Sequence, residues 1–255
     1  MFGRAFEQAG FCVVRGPDPI YGGDIRDFAA PRGVFDGVIG GTPCQDFSAA
    51  RRTPPSGQGV ALLQEFVRVI AAVSPTWFVT ENVPGVPDVA IGGYEVQRFN
   101  LDARDCGMRQ RRLRCFQFGS RDGTCLVIPR CVRDAAESQP CCLATEGTRA
   151  QRRSWADFCE AQGLPGDFEL PGWSIAAKYR AVGNGVPLPM GRVVAIAVTT
   201  RVVTGSVRLC VCNCGRRVAG NALHATAACR KRMERRRRHS AGVSGPHRVT
   251  ASPTQ

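Results

Sequence analysis

Between residues 60 and 73, in "VALLQEFVRVIAAV", apolar side chains fall at Leu63, Phe66, Val67 and Ile70. That is the i, i+3, i+4, i+7 spacing of one helix face, and Ser74-Pro75 marks its end. On either side lie short apolar runs of strand length, "VFDGVIG" at 34–40 and "TWFVT" at 76–80. Strand, helix and strand joined by short links are the βαβ rhythm of a parallel sheet, whose ligands bind at the carboxyl ends of the strands. Further strands are predicted at 94–100 ("YEVQRFN") and 113–119 ("LRCFQFG"), with an extended segment "FCVV" at 11–14. Residues 3–9 read as a short helix. A longer one is predicted over 187–203, with Met190, Val193, Val194 and Ala197 on one face. Residues 120–180 show no periodicity, and there is no internal repeat.

Composition adds bounds to this picture. At 255 residues, 44% hydrophobic and 22% charged, the chain is long and apolar enough for one large domain or a domain with an appendage. The start "MFGRAFEQAGF" does not read as a signal peptide, and "VVAIAV" at 193–198 is far short of a membrane span. Thirteen cysteines, an odd number without pairing rhythm, fit reduced thiols in a cytoplasm better than a disulfide framework. Charge is unevenly spread. Residues 1–200 carry a net +2 and residues 201–255 a net +11, with Glu234 the sole acid of that tail. Such asymmetry points to a polyanionic partner, most simply nucleic acid; a solvated tail without a ligand is the alternative.

The stretch "GGTPCQDFS" (40–48) places Cys44 after a predicted strand, on a loop stiffened by Pro43. A reactive thiol is useful there, although cysteine also serves as a small buried hydrophobe. Four short motifs follow one another: "GTPCQDFS" (41–48), "ENVPG" (81–85), "QRRLR" (110–114) and "GNGV" (183–186). In this order they resemble the DNA cytosine-5 methyltransferases. The resemblance implies an α/β, Rossmann-like S-adenosylmethionine-dependent methyltransferase fold. It implies a catalytic core over 1–119, a small irregular target-recognition region over 120–180 and a C-terminal helix returning to the core over 181–204. A Cys-rich, Arg-rich tail over 205–255 completes the chain. Methyl transfer from S-adenosylmethionine to C5 of cytosine in double-stranded DNA is the implied activity, in a cytoplasmic monomer belonging to a restriction-modification or self-protection system. A non-catalytic nucleic-acid-binding remnant and an RNA cytosine-5 methyltransferase are the alternative readings.

The chemistry accounts for the residue types. C5 of cytosine is a poor nucleophile until a thiolate adds to C6, and the resemblance gives that role to Cys44. Glu81 would protonate or hydrogen-bond N3, and Arg114, with Arg112 behind it, would hold O2. The target base must be flipped out of the duplex, and Gln45 and Ser48 resemble the positions that approach the DNA backbone and the vacated space. For the cofactor, "GGDI" (22–25) makes Asp24 and Ile25 candidates, Asp18 is the acid nearest the place of a ribose ligand, and Pro43, Asn184 and Val186 join the set. Family members begin with a strand and a Phe-x-Gly-x-Gly loop. This chain starts in what resembles the helix after that loop, with Gly3 as a remnant, so weak cofactor binding or none is expected.

The tail is a separate matter. Cys210, Cys212 and Cys214 cluster, and His224 and Cys229 follow. Four ligands from this set would make a tetrahedral zinc site; free thiols in a flexible tail are the other reading. Arg230, Lys231 and Arg232 open a run of seven basic residues within 230–238, suited to gripping phosphate without reading sequence.

Overall fold

The computed structural model describes residues 1–17, 23–49, 51, 53–131, 138–240 and 248–250. In chain order the elements are α1 (Phe2–Glu7), β1 (Gly37–Gly40), α2 (Gln58–Val73), β2 (Trp77–Asn82), β3 (Asp88–Ala90), β4 (Glu95–Asp102) and β5 (Leu113–Ser120). Then come β6 (Thr124–Cys125), α3 (Trp155–Ala161), α4 (Ile175–Asn184), α5 (Leu188–Thr199), β7 (Val202–Val203), α6 (Ala227–Ser240) and β8 (Arg248–Thr250). The fold is α/β, with a four-stranded sheet in the order β1-β2-β5-β4.

The predicted βαβ unit forms. β1 and β2 run parallel, with Gly40 opposite Thr80, and α2 connects them. The helix ends where Ser74 turns into the left-handed region at φ 54° and its N–H closes on the Ile70 carbonyl, just before Pro75. All four residues of the predicted stripe are buried, and they pack with Phe78, Val86, Val89, Ile91 and Cys115. Every residue of β2 is buried, which explains why it reads as a continuous apolar run and not as an alternation. β5 pairs antiparallel with β2, placing Phe116 opposite Glu81. A Cβ at Gly119 would land on the Phe78 ring, so the absent side chain makes room for that core aromatic.

The chain divides into two compact units. One comprises Met1–Val13, Leu101–Leu113 and Pro129–Thr199; the other comprises Val14–Asn100, Arg114–Ile128 and Thr200–Gln255. The first is helical. Its core gathers Ala5, Cys142, Phe158, Cys159, Leu164, Tyr179, Val182 and Leu188. α1 lies against α5, where a Cβ at Gly191 would meet that of Ala5. By length and composition residues 175–199 could cross a membrane, but the run is broken between Asn184 and Leu188, and 61% of the apolar window is buried.

Some sequence expectations are corrected. Residues 120–180 are not irregular throughout: α3 and α4 arise there, capped by Ser154 and Ser174, whose hydroxyls accept from the amides of Asp157 and Ala177. The helix expected over 187–203 stops at Thr199, and Val202–Val203 pair with β6.

Candidate active site and cysteine centre

Cys44 sits just beyond the carboxyl end of β1, half-buried, at φ −96° and ψ 0°. This is the bridge region of backbone space, sparsely occupied and recurrent at active sites. Two anchors hold its loop. Upstream, Asn82 Nδ2 donates to the Thr42 carbonyl at 2.9 Å and to Thr42 Oγ1 at 3.1 Å, while Asn82 Oδ1 accepts from Val83 N at 2.8 Å. Downstream, the Asp46 carboxylate accepts from Gly59 N at 2.7 Å and Ser56 N at 2.8 Å, tying the loop to the first turn of α2. Hydrogen bonds from those two amides hold the Asp46 carboxyl below its ordinary value. Gln45 is exposed and opens the 3-10 turn Gln45–Phe47; Ser48 follows it, half-buried.

Glu81 lies near the carboxyl end of β2, the neighbouring strand. Its Oε1 is 3.0 Å from Arg114 Nε, and both side chains are largely buried. The register explains the meeting: Glu81 faces Phe116, and Arg114 is the diagonal neighbour two residues away on the same face of β5. Gly41 runs alongside, where a Cβ would stand 3.4 Å from Glu81 Oε2. The Cys44 loop and the acid–arginine pair therefore share one end of two adjacent parallel strands.

The "QRRLR" motif is divided. Arg114 turns to Glu81, whereas Gln110 and Arg112, almost fully buried, belong to the helical unit. Arg112 donates to the carbonyls of Cys142 (3.0 Å), Gly183 (2.7 Å) and Gly185 (3.1 Å). The expectation that Arg112 stands behind Arg114 at the base is thus not what the geometry gives. Its guanidinium is engaged by backbone carbonyls, and its place is that of a positioning residue for the Gly183-Asn184-Gly185 turn. Asn184 is exposed on that turn, and Val186 is buried after it. Gln110 continues the network, donating to Gln162 Oε1 at 2.9 Å, and Gln162 donates to the Val182 carbonyl at 2.8 Å.

Of the other cofactor candidates, Asp18 lies outside the described residues. Asp24 caps the short turn Ile25–Asp27, accepting from Arg26 N at 2.9 Å and pairing with the Arg26 guanidinium at 3.1 Å. Ile25 packs beside the α2 core, and its carbonyl accepts from Arg68 at 2.7 Å. An exposed carboxylate next to an apolar side chain suits the polar and flat parts of a nucleoside, and Pro43 is exposed beside Cys44. Sequence reasoning passed over Asn82, Asp46 and Gln110, although each stands inside a quoted motif. Their signal was a polar residue adjoining a chemical one.

In the tail, the sulfurs of Cys210, Cys212, Cys214 and Cys229 all lie within 4.8 Å of one another, and all four residues are buried. His224 is not in this group, which corrects its expected place among the ligands. Its imidazole instead has a buried Nδ1 without a hydrogen-bond partner. Burial pushes the Cys212 thiol up. Burial also opposes ionisation of Cys229, but hydrogen bonds from Thr226 and the neighbouring thiols outweigh it and bring Cys229 down to about 7. The four thiols are a group that could hold a metal ion. Arg230, Lys231 and Arg232 follow Cys229 on α6, all exposed.

Comparison with known proteins matches residues 19–140 to the family model of C-5 cytosine-specific DNA methylases. These residues, just under half of the chain, are similar to that family. The matched segment includes Cys44, Glu81 and the whole "QRRLR" motif. The type II methyltransferase M.HgiDI of Herpetosiphon aurantiacus is 34% identical over 97 residues, covering 34% of this chain and 31% of that protein. M.XorII of Xanthomonas oryzae pv. oryzae is 30% identical over 158 residues, covering 46% and 37%. The chain thus spans about a third of the length of these curated relatives. Among solved structures, the methyltransferase EhMeth of Entamoeba histolytica aligns over 65% of this chain and 77% of its own, at 10% identity and a TM-score of 0.49.

Proposed function

We propose that this chain methylates C5 of cytosine in double-stranded DNA, as the modification half of a restriction-modification or self-protection system. The observation that carries the reading is the pairing of two strand ends. Cys44 stands on a loop pinned by Asn82 and Asp46, and Glu81 with Arg114 stands at the end of the adjoining strand. A thiol alone would be weak support. A thiol beside a largely buried acid–guanidinium pair is suited to attack on a polarised pyrimidine ring.

In this reading the Cys44 sulfur forms a bond to C6 of a flipped-out cytosine, and Glu81 delivers a proton or hydrogen bond to N3, which takes up the displaced electron pair. Arg114 holds Glu81 in place and donates to O2. S-adenosylmethionine, when bound, supplies an electrophilic methyl group for C5. Water then takes the C5 proton as base, the C–H electron pair restores the C5–C6 double bond, Cys44 leaves as thiolate, and the N3 proton returns to Glu81. Asp24 and Ile25 would hold the nucleoside part of the cofactor, and Asn184 would be presented by the turn that Arg112 clamps. Gln45 and Ser48 would meet the DNA strand. Zinc is the metal that four thiols of the tail would hold. The protein would act as a monomer in the cytoplasm.

Duplex DNA carrying 5-fluorocytosine tests the mechanism, because fluorine does not leave as a proton does. With cofactor present, the adduct is expected on the peptide containing Cys44. An adduct on another cysteine, or trapping that survives Cys44→Ser, overturns the assignment.

A further inference from the structure

The four-cysteine centre does more than tie up the end of the chain. Cys210 and Cys212 sulfurs are 3.5 Å apart, and those of Cys214 and Cys229 are 3.9 Å apart. Tetrahedral zinc with bonds of about 2.3 Å places its sulfurs about 3.8 Å from one another. Chain geometry explains how a C-x-C-x-C run supplies three ligands. Asn213 at φ 56° and Gly215 at φ 71° wrap the backbone into a knuckle, and these are residue types that tolerate the left-handed region. Donors surround the sulfurs. Ala225 N and Thr226 Oγ1 each lie 3.2 Å from a sulfur, of Cys210 and Cys229 respectively, and such bonds offset thiolate charge around a metal.

The knuckle is fastened to the methylase sheet. Asn100 N, at the end of β4, donates to the Asn213 carbonyl at 2.8 Å, and Ile128 N donates to the Gly215 carbonyl at 3.0 Å. A Cβ at Gly215 would meet the Ile128 side chain, so only glycine allows that approach. The fourth ligand, Cys229, lies in the first turn of α6, capped by Thr226. Cys229 and Met233, four residues apart on one face of α6, pack with the cluster. The helix is otherwise basic, with Arg230, Lys231, Arg232, Arg235 and Arg237 exposed. A helix of 14 residues with repeated like charges at i, i+4 is marginal by itself. Its order comes from the sulfur centre.

We infer that zinc at Cys210, Cys212, Cys214 and Cys229 builds α6 into a metal-dependent clamp on the phosphate backbone of duplex DNA, held rigidly on the sheet that carries Cys44. This rests on the assignment of DNA as substrate, and it gives the catalytic site a second grip that reads charge and not sequence. Without the metal, four thiols have no common partner, α6 loses the face that packs on them, and the clamp goes.

The test uses the full chain carrying Cys44→Ala, in which methyl transfer cannot occur, so that loss of grip and loss of transfer are read separately. One zinc per chain is expected by elemental analysis, released with four titratable thiols. Binding to a fluorescent duplex is then followed against salt, with zinc and after chelation, while near-ultraviolet circular dichroism reports on the core. The salt slope should fall by about 0.9 for every phosphate that α6 no longer neutralises. The substitution of Arg230, Arg235 and Arg237 by Ala with zinc retained should lower it by about 2.7, which corresponds to three phosphates, and chelation should lower it by at least as much. A protein that takes up no zinc, an unchanged slope in both arms, or tighter binding to single-stranded RNA than to duplex DNA would overturn the inference.

Discussion

Glu81 Oε1 lies 3.0 Å from Arg114 Nε, joining the ends of β2 and β5 beside Gly41, where β1 gives way to the loop that carries Cys44. An ion pair so placed fixes the position of the acid assigned to N3.

Glu81→Gln keeps the shape and removes the transferable proton. Single-turnover methyl transfer should fall by about 10²–10⁴, the usual contribution of a general acid, while duplex binding stays unchanged. A variant that transfers methyl at the wild-type rate would remove Glu81 from the mechanism.

Arg112 predicts a different response. In Arg112→Ala the carbonyls of Cys142, Gly183 and Gly185 lose a buried donor. Urea unfolding should report a loss of about 3 kcal/mol or more, since each buried group left unpaired costs about 1–3 kcal/mol. If stability is kept and methyl transfer alone collapses, Arg112 acts at the base after all.

The Asp46 anchor should respond to acid. Its carboxyl is held below the ordinary value by the amides of Gly59 and Ser56. A depressed folded pKa contributes stability that is complete above the unfolded value of about 3.9 and is lost as pH falls through the lower folded value. The amide resonances of Ser56 and Gly59 should therefore hold constant from neutrality to about pH 4 and shift only below it. A midpoint at or above about 3.9 would contradict the anchor.

Thiol chemistry should separate Cys44 from three cysteines whose thiols are pushed up by desolvation. Burial pushes Cys106 up to about 12 and both Cys142 and Cys159 up to about 11. Below those values the proton stays on sulfur, so these three should resist iodoacetamide at about pH 8 in the folded chain. Peptide mass spectrometry should find Cys44 alkylated first among the four. Equal labelling of Cys142 would show that the helical core opens readily.

The sequence made α2 legible because its four-residue stripe and its terminator agree, and β2 legible because a fully buried strand leaves an unbroken apolar run. α3 and α4 were hidden for a physical reason. They are short, their buried faces rest on isolated aromatics such as Phe158 and Tyr179, and Ser154 and Ser174 cap them with hydroxyls that look like loop residues. Motif order pointed to Cys44, Glu81 and Arg114, which the fold places at the ends of neighbouring strands. It could not divide "QRRLR", because which buried partner an arginine meets depends on strands and turns far along the chain. His224 was misplaced for the same reason: spacing counts ligands, but only the left-handed turns at Asn213 and Gly215 bring three sulfurs together.

The two units are interleaved in sequence, with the chain passing from one to the other after Val13, Asn100, Leu113, Ile128 and Thr199. On a ribosome this sets a schedule. α1, near the start of the chain, packs against α5, and Gly191 must be made before Ala5 can be covered. At about 5–20 residues per second that is a wait of roughly ten to forty seconds with Ala5 and Phe6 uncovered. Neither unit can be released as a finished fragment by a single cut, so a nicked or stalled chain should be a substrate for chaperones and proteases and not a half-active enzyme.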